Sequence, residues 1–139
     1  MKRIVATGTF DILHPGHLFY LEESRKLGDE LYVIVARDVN VKHKPIPVIP
    51  EEQRLRMVAA LKPVDHALLG DLTDMFRPVE AIGPDVITIG YNQHFDERKL
   101  RSALAARGIG SDVVRIGKFG DDVLCSSRCI VQRIIETRG

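Results

Sequence analysis

The sequence predicts an α/β fold, a doubly wound parallel sheet of five strands with helices on both faces. Three observations carry this. Apolar, β-branched runs alternate with helical patterns five times, at about 20 to 30 residues per unit, which is the rhythm of βαβ construction. The longest of these runs is nearly continuous, as a strand covered on both faces requires. Right-handed crossovers leave few arrangements for such a chain, among them the order 3-2-1-4-5, which sets strands one and four side by side where the winding reverses.

The first strand is Ile4-Val5-Ala6, stopped by Thr7-Gly8. Pro15 and Gly16 then lead into a helical run from His17 to Leu27, with Gly28 as the expected C-terminal cap. Leu31-Tyr32-Val33-Ile34-Val35-Ala36 is the second strand and ends at Arg37-Asp38. Between Asn40 and Pro50, three prolines at 45, 47 and 50 remove donors and fix φ, so this stretch reads as a loop carrying Lys42, His43 and Lys44.

Pro50 suits a helix start, with Glu51 and Glu52 at the positive end of the dipole. Leu55, Val58 and Ala59 form the expected apolar face, widened by Met57 and Leu61, and Pro63 ends the helix. Ala67-Leu68-Leu69 is the third strand. Thr73 is the expected cap of a helix through Ile82, kinked or restarted at Pro78. A fourth strand spans residues 85 to 90, a helix 96 to 107 ended by Gly108, and a fifth strand Val113 to Ile116. Ser126-Ser127 opens a last helix that ends near Arg138. This is a Rossmann-like arrangement, and ligands in such sheets bind at the carboxyl ends of the strands, at the reversal point. The loops at residues 7 to 17 and 90 to 95 are then expected to face one crevice.

The chain's 139 residues suit one domain, residues 1 to 139, with a single sizeable core. A formal net charge of +1, from 20 basic and 19 acidic residues, gives no footing for a duplex-binding surface, so no nucleic-acid partner is expected. No apolar run approaches the roughly 18 residues that cross a bilayer, so a cytoplasmic protein without a membrane partner is expected. Cys125 and Cys129 lack the spacing and number of a zinc site or disulfide framework. They read as two small buried residues, with a redox role as the alternative.

Chemistry concentrates at the first strand-to-helix turn. His14 and His17, with Gly16 keeping the backbone low, stand at a helix start whose free N–H groups and dipole favour anions. Imidazole N–H groups aimed at one point stabilise charge that grows on a phosphoryl group. The plainer alternative is a capped turn with surface histidines. Asp11 is the only other candidate metal ligand close in sequence, so no protein-held metal is expected. Neither a nucleophile elbow nor a G-x-x-x-x-G-K-[ST] loop is present. A substrate that brings its own phosphate as nucleophile needs no general base, and catalysis then rests on alignment and electrostatics.

Gly8-Thr9-Phe10-Asp11 followed by His14-Pro15-Gly16-His17 resembles the G-x-F-D and H-x-G-H signature of the cytidylyltransferase-like nucleotidyltransferases. Cys125-Ser126-Ser127-Arg128 resembles the family's second motif, at the start of the last helix. Val35-Ala36-Arg37-Asp38, Ile49-Pro50-Glu51-Glu52-Gln53-Arg54, Leu61-Lys62-Pro63-Val64-Asp65 and Gly90-Tyr91-Asn92-Gln93-His94-Phe95 are most similar to the short archaeal members that adenylylate FMN. The members that use CTP and glycerol 3-phosphate share the first motif but carry an Arg-Thr-Glu-Gly-Ile-Ser-Thr-Thr stretch where this chain has residues 118 to 126. The role of that arginine is left unfilled, with Lys118 or Arg128 the nearest substitutes for a phosphate contact.

The resemblance implies AMP transfer from ATP to FMN, with Mg²⁺ carried on the substrate and a homodimeric enzyme. It implies that Thr9, Phe10 and Gly16 line the nucleotide site, that His14 and His17 contact its phosphates, and that Lys42 or Lys44 holds the acceptor phosphate. Arg54 either reaches the triphosphate or is a surface arginine. Asn92 lies near the sugar or base, or is a left-handed turn residue. Ser126 either offers hydroxyl and N–H to a phosphate or only caps its helix. A cytidylyltransferase for a small alcohol phosphate is the alternative enzyme, and a nucleotide-binding regulatory module without turnover is the alternative of another class.

Overall fold

Five parallel strands, β1 (Arg3–Gly8), β2 (Glu30–Val35), β3 (His66–Leu69), β4 (Val86–Ile89) and β5 (Asp112–Arg115), form one sheet in the order β3-β2-β1-β4-β5. The expected order is therefore present. The computed structural model describes residues 1–41, 46–93, 95–120 and 126–139. Helices α1 (Pro15–Arg25), α2 (Glu51–Ala59), α3 (Arg77–Ile82), α4 (Glu97–Ala106) and α5 (Ser127–Arg138) complete the alternation.

Successive side chains of a strand point to opposite faces, and β1 shows what that does here. Ile4 and Ala6 join Leu21, Leu31, Val33, Val35 and Val58 in one buried cluster, beneath α1 and α2. Val5 joins Ile34, Val79, Ile82, Ile87, Ile89 and Leu104 in a second, beneath α3 and α4. Both faces of the central strand are covered, which is why Ile4, Val5 and Ala6 are all fully buried. Among the described residues no helix is long and apolar enough to cross a membrane.

Several helices differ from expectation for local reasons. α1 begins at Pro15 and its C-cap is Lys26, so Gly28 is not the cap. Gly28 is required for another reason, since a Cβ there would lie 2.8 Å from the Lys2 carbonyl oxygen. In α2, Arg54 is buried beside Val58, whereas Ala59 and Met57 face outward. The inward face is thus Arg54, Leu55 and Val58, because carbonyls from three segments require a buried donor. α3 is only six residues long. Thr73 is not its cap: Asp71 instead accepts from the Thr73 and Asp74 N–H groups, forming a turn before the helix. Pro78 then falls in the first helical turn, where its missing N–H costs nothing. Asp96 caps α4, and Gly108, at φ 77°, follows its end as expected. Cys129 on α5 is exposed, contrary to the expected burial. Cys125 lies outside the described residues.

Candidate functional site

Gly8 ends β1 with no room for a side chain, since a Cβ there would lie 2.9 Å from the ring of Phe10. Phe10 follows at φ 55°, the left-handed region that a bulky residue rarely adopts. Burial holds it there: Phe10 is 3% exposed, its ring stacked on Tyr20 at 6.5 Å and tilted against His17 at 5.4 Å. The Phe10 ring therefore lies in the core beneath the histidines, and this segment presents backbone to the crevice.

The histidines cap α1 reciprocally. His14 is the N-cap, and its Nδ1 accepts from the Gly16 N–H at 3.1 Å. His17 Nδ1 accepts from the His14 N–H at 3.3 Å. This is a capping box built from two imidazoles, which explains the spacing of three. The rings stack with centroids 3.8 Å apart. A ring nitrogen that accepts carries no proton, so in both rings the proton lies on Nε2. Burial also lowers the pKa of His14 from its ordinary 6.5, favouring the neutral ring. The Gly16 N–H is used by the cap and is not one of the free donors expected from the sequence. With Nδ1 used by the cap, the proton-bearing nitrogen of each ring is Nε2.

The turn is braced from below by Arg54. Its Nη1 donates to the carbonyls of Thr9 at 2.7 Å and Ala36 at 2.9 Å, its Nε to Ile49 at 2.8 Å, and its Nη2 pairs with Asp38. With 1% exposure it is not a surface arginine, and that expectation is corrected. Asp11 serves the chain on the other side of residues 42–45. Its carboxylate accepts from the Val48 N–H at 3.0 Å and the Ile49 N–H at 2.8 Å. Lys42 and Lys44 lie outside the described residues.

Across the crevice, the loop after β4 is held to β1. Gln93 Nε2 donates to the Thr7 carbonyl at 3.1 Å, so the loops at 7 to 17 and 90 to 95 do meet. Arg115, at the end of β5, grips the same loop from outside, donating to the carbonyls of Gly90, Gln93 and Phe95 and pairing with Glu97. That bond and ion pair hold the Glu97 carboxyl below its ordinary pKa. Asn92 is exposed at the loop's tip, and it is not in the left-handed region, which Phe10 alone of the described non-glycine residues adopts. Ser126 caps α5, accepting from the Cys129 N–H at 3.1 Å, and Ser127 Oγ reaches the Ile12 carbonyl at 3.4 Å. Lys118 and Arg128 are exposed.

The structure thus brings together Thr9, Phe10, His14, Gly16, His17, Arg54 and the loop bearing Asn92, with Ser126 joined through its neighbour. The bracing roles of Asp11, Asp38, Tyr20, Gln93 and Arg115 were not legible in the sequence. Among the described residues no three His, Cys, Asp or Glu side chains gather where they could hold a metal ion.

A family model described as Cytidylyltransferase-like matches residues 5–133. Among curated relatives, the FAD synthase of Methanosphaerula palustris is 78% identical over the whole chain, covering 91% of that protein. The FAD synthase of Methanoregula boonei is 70% identical over 99% of this chain and 93% of its own. Among solved structures, a lipopolysaccharide core biosynthesis protein from Thermoplasma volcanium superposes with a TM-score of 0.83 at 50% identity, covering 86% of this chain and 99% of that one. Pantothenate synthetase from Thermus thermophilus gives a TM-score of 0.58 at 16% identity over 86% of this chain and 56% of that one, a likeness of fold.

Proposed function

The chain belongs to the cytidylyltransferase-like family, and from that premise we propose that it transfers AMP from ATP to the phosphate of FMN, giving FAD and pyrophosphate. The single observation that supports the mechanism is the reciprocal histidine cap, in which Nδ1 of each ring accepts from backbone, so that Nε2 is the nitrogen that bears the proton. A phosphate oxygen of FMN attacks the α-phosphorus of ATP, and the bond to the pyrophosphate oxygen breaks. His14 and His17 donate to the oxygens on which charge grows. Their Nδ1 lone pairs are occupied, so neither ring is placed to act as a base, and the acceptor phosphate needs none.

Thr9, Gly16, Asn92 and Ser126 line the nucleotide in this reading. Lys42 or Lys44 holds the acceptor phosphate, with Lys118 and Arg128 as further phosphate contacts. Asp11 supports the lysine assignment indirectly, because it ties the chain that follows residues 42–45 back to the histidine turn. Magnesium belongs to the proposal as an ion carried on the triphosphate, where it neutralises charge on the leaving pyrophosphate. The same reading places the enzyme in the cytoplasm as a homodimer. Exposed Val131, Ile134 and Ile135 along α5 support the pairing, which sedimentation measures.

The test is the product of ATP and FMN, identified by mass, with CTP and glycerol 3-phosphate as the competing pair. FAD and pyrophosphate are expected from the first mixture only. His17→Ala should lower turnover roughly 10²- to 10³-fold while ATP affinity changes little. Near-normal turnover in that variant would sink the mechanism.

A further inference from the structure

β1 pairs with β2 through Gly8↔Val35, but its pairing with β4 stops two residues earlier, at Ala6↔Thr88. The two central strands part where the winding reverses. In a parallel ladder continued by one step, the Gly90 N–H would donate to the Thr7 carbonyl. Instead, Gly90 N–H donates to Gln93 Oε1 at 2.5 Å, and Gln93 Nε2 donates to the Thr7 carbonyl at 3.1 Å. One carboxamide is inserted into the rung, accepting on one side and donating on the other.

The neighbouring hydroxyl does not replace this donor. Tyr20 Oη lies 2.8 Å from the Thr88 carbonyl and 3.2 Å from that of Thr7, and its single proton goes to the nearer. The Thr7 carbonyl therefore relies on Gln93. Arg115 already holds the Gly90 and Gln93 carbonyls from the far side, so the carboxamide is fixed in place between two strand ends.

We propose that Gln93 is a positioning residue, a spacer that replaces a backbone rung between Thr7 and Gly90 and thereby sets how far the crevice between β1 and β4 stands open. This rests on the nucleotide occupying that crevice, as the proposed function requires. The opening then sets the distance between the histidine turn, which follows Thr7, and the loop bearing Asn92. A misplacement of the reacting groups by about 1 Å is worth up to roughly a hundredfold in rate.

Gln93→Glu tests this with nearly unchanged shape. As a carboxylate, the new side chain still accepts from the Gly90 N–H but turns a second acceptor toward the Thr7 carbonyl, while the protonated acid donates to it. The ratio of variant to wild-type kcat/KM for ATP should be reduced roughly 10- to 100-fold near pH 8 and should climb as the pH is lowered through the carboxyl's titration. A ratio near one at pH 8, or a loss that acid does not relieve, overturns the proposal. A second measurement stands apart from turnover: in the unliganded protein, Gln93→Leu should speed hydrogen exchange at the Gly90 amide while the melting transition stays cooperative. Unchanged exchange there also overturns it. If the wild type makes no FAD, it is the function that fails, and the exchange measurement still decides the role of Gln93.

Discussion

Two helices bring their first turns to the same end of the sheet, and they are held there in different ways. α1 buries Tyr20, Leu21 and Ser24, and its first turn is closed by two side-chain caps. Behind it runs a chain of buried hydroxyls: Ser24 donates to the Tyr20 carbonyl, Thr88 meets Ser24 at 2.8 Å, and Tyr20 donates to the Thr88 carbonyl. α5 buries no residue, has one side-chain cap, and meets the loop before the histidine turn through a 3.4 Å bond from Ser127 to the Ile12 carbonyl. The difference separates two tasks. In the proposed mechanism the histidines that meet developing charge sit on the braced turn, where position matters most. In the same proposal the cap residue of α5, Ser126, supplies a contact whose position matters less.

The strongest way to break the comparison is to remove the brace. Arg54→Met keeps most of the buried volume but leaves the Thr9, Ala36 and Ile49 carbonyls without their donor and Asp38 without its partner. Asp38, with its side chain 39% exposed, is left to solvent, and the carbonyls left without their donor cost about 1 to 3 kcal/mol. Denaturant unfolding should show a loss of that size, together with a kcat reduction even at temperatures where the variant is folded. A variant with unchanged stability would show that the brace carries no energy.

Proton binding loosens the same turn more gently. The His14 cap exists only while Nδ1 is unprotonated, and burial sets its folded pKa below the 6.5 of the unfolded chain. The unfolded state therefore takes up the proton first. The cap's stabilisation is fully present above about pH 6.5 and is lost as pH falls through the lowered folded value. The loss should reach about 1 kcal/mol, the worth of an N-cap. His14→Asn retains an N-cap that does not titrate in this range. Melting temperatures measured from pH 5 to 8 should show an acid decline in the wild type that is smaller in His14→Asn, and equal declines would count against the cap.

How much of this was readable from the chain depends on where each residue finds its partner. The strand order was legible because right-handed crossovers leave few arrangements for alternating units, and the histidine turn because its partners lie three residues apart. Arg54 was not, because helical periodicity assigns an arginine to the solvent face, and its buried role depends on carbonyls up to 45 residues distant. Tyr20 meets Thr88 at a separation of 68 residues and Gln93 meets Thr7 at 86. Both bonds exist only because the winding reverses between strands β1 and β4. Thr73 misled as a cap because Asp71 ties the Thr73 and Asp74 N–H groups into a turn, and Asp74 accepts from the Phe76 N–H that a Thr73 cap would have taken. Gly28 misled because a glycine after a helix signals a left-handed cap, whereas here it admits the Lys2 carbonyl.

The smallest effect is expected at the less anchored helix. Ser126 Oγ accepts from the Cys129 N–H, and a hydroxyl that accepts keeps a proton to donate, which the proposed function directs to a phosphate. Ser126→Ala removes both functions, with about 1 kcal/mol lost from the cap and a rise in KM for ATP. Ser126→Asn separates them, since an asparagine side chain caps as well as serine but places its amide differently. Restored melting temperature with KM still raised would assign the hydroxyl to the ligand. Restoration of both would make Ser126 a cap alone, and the contrast between the two helices would then be one between a working turn and a structural one.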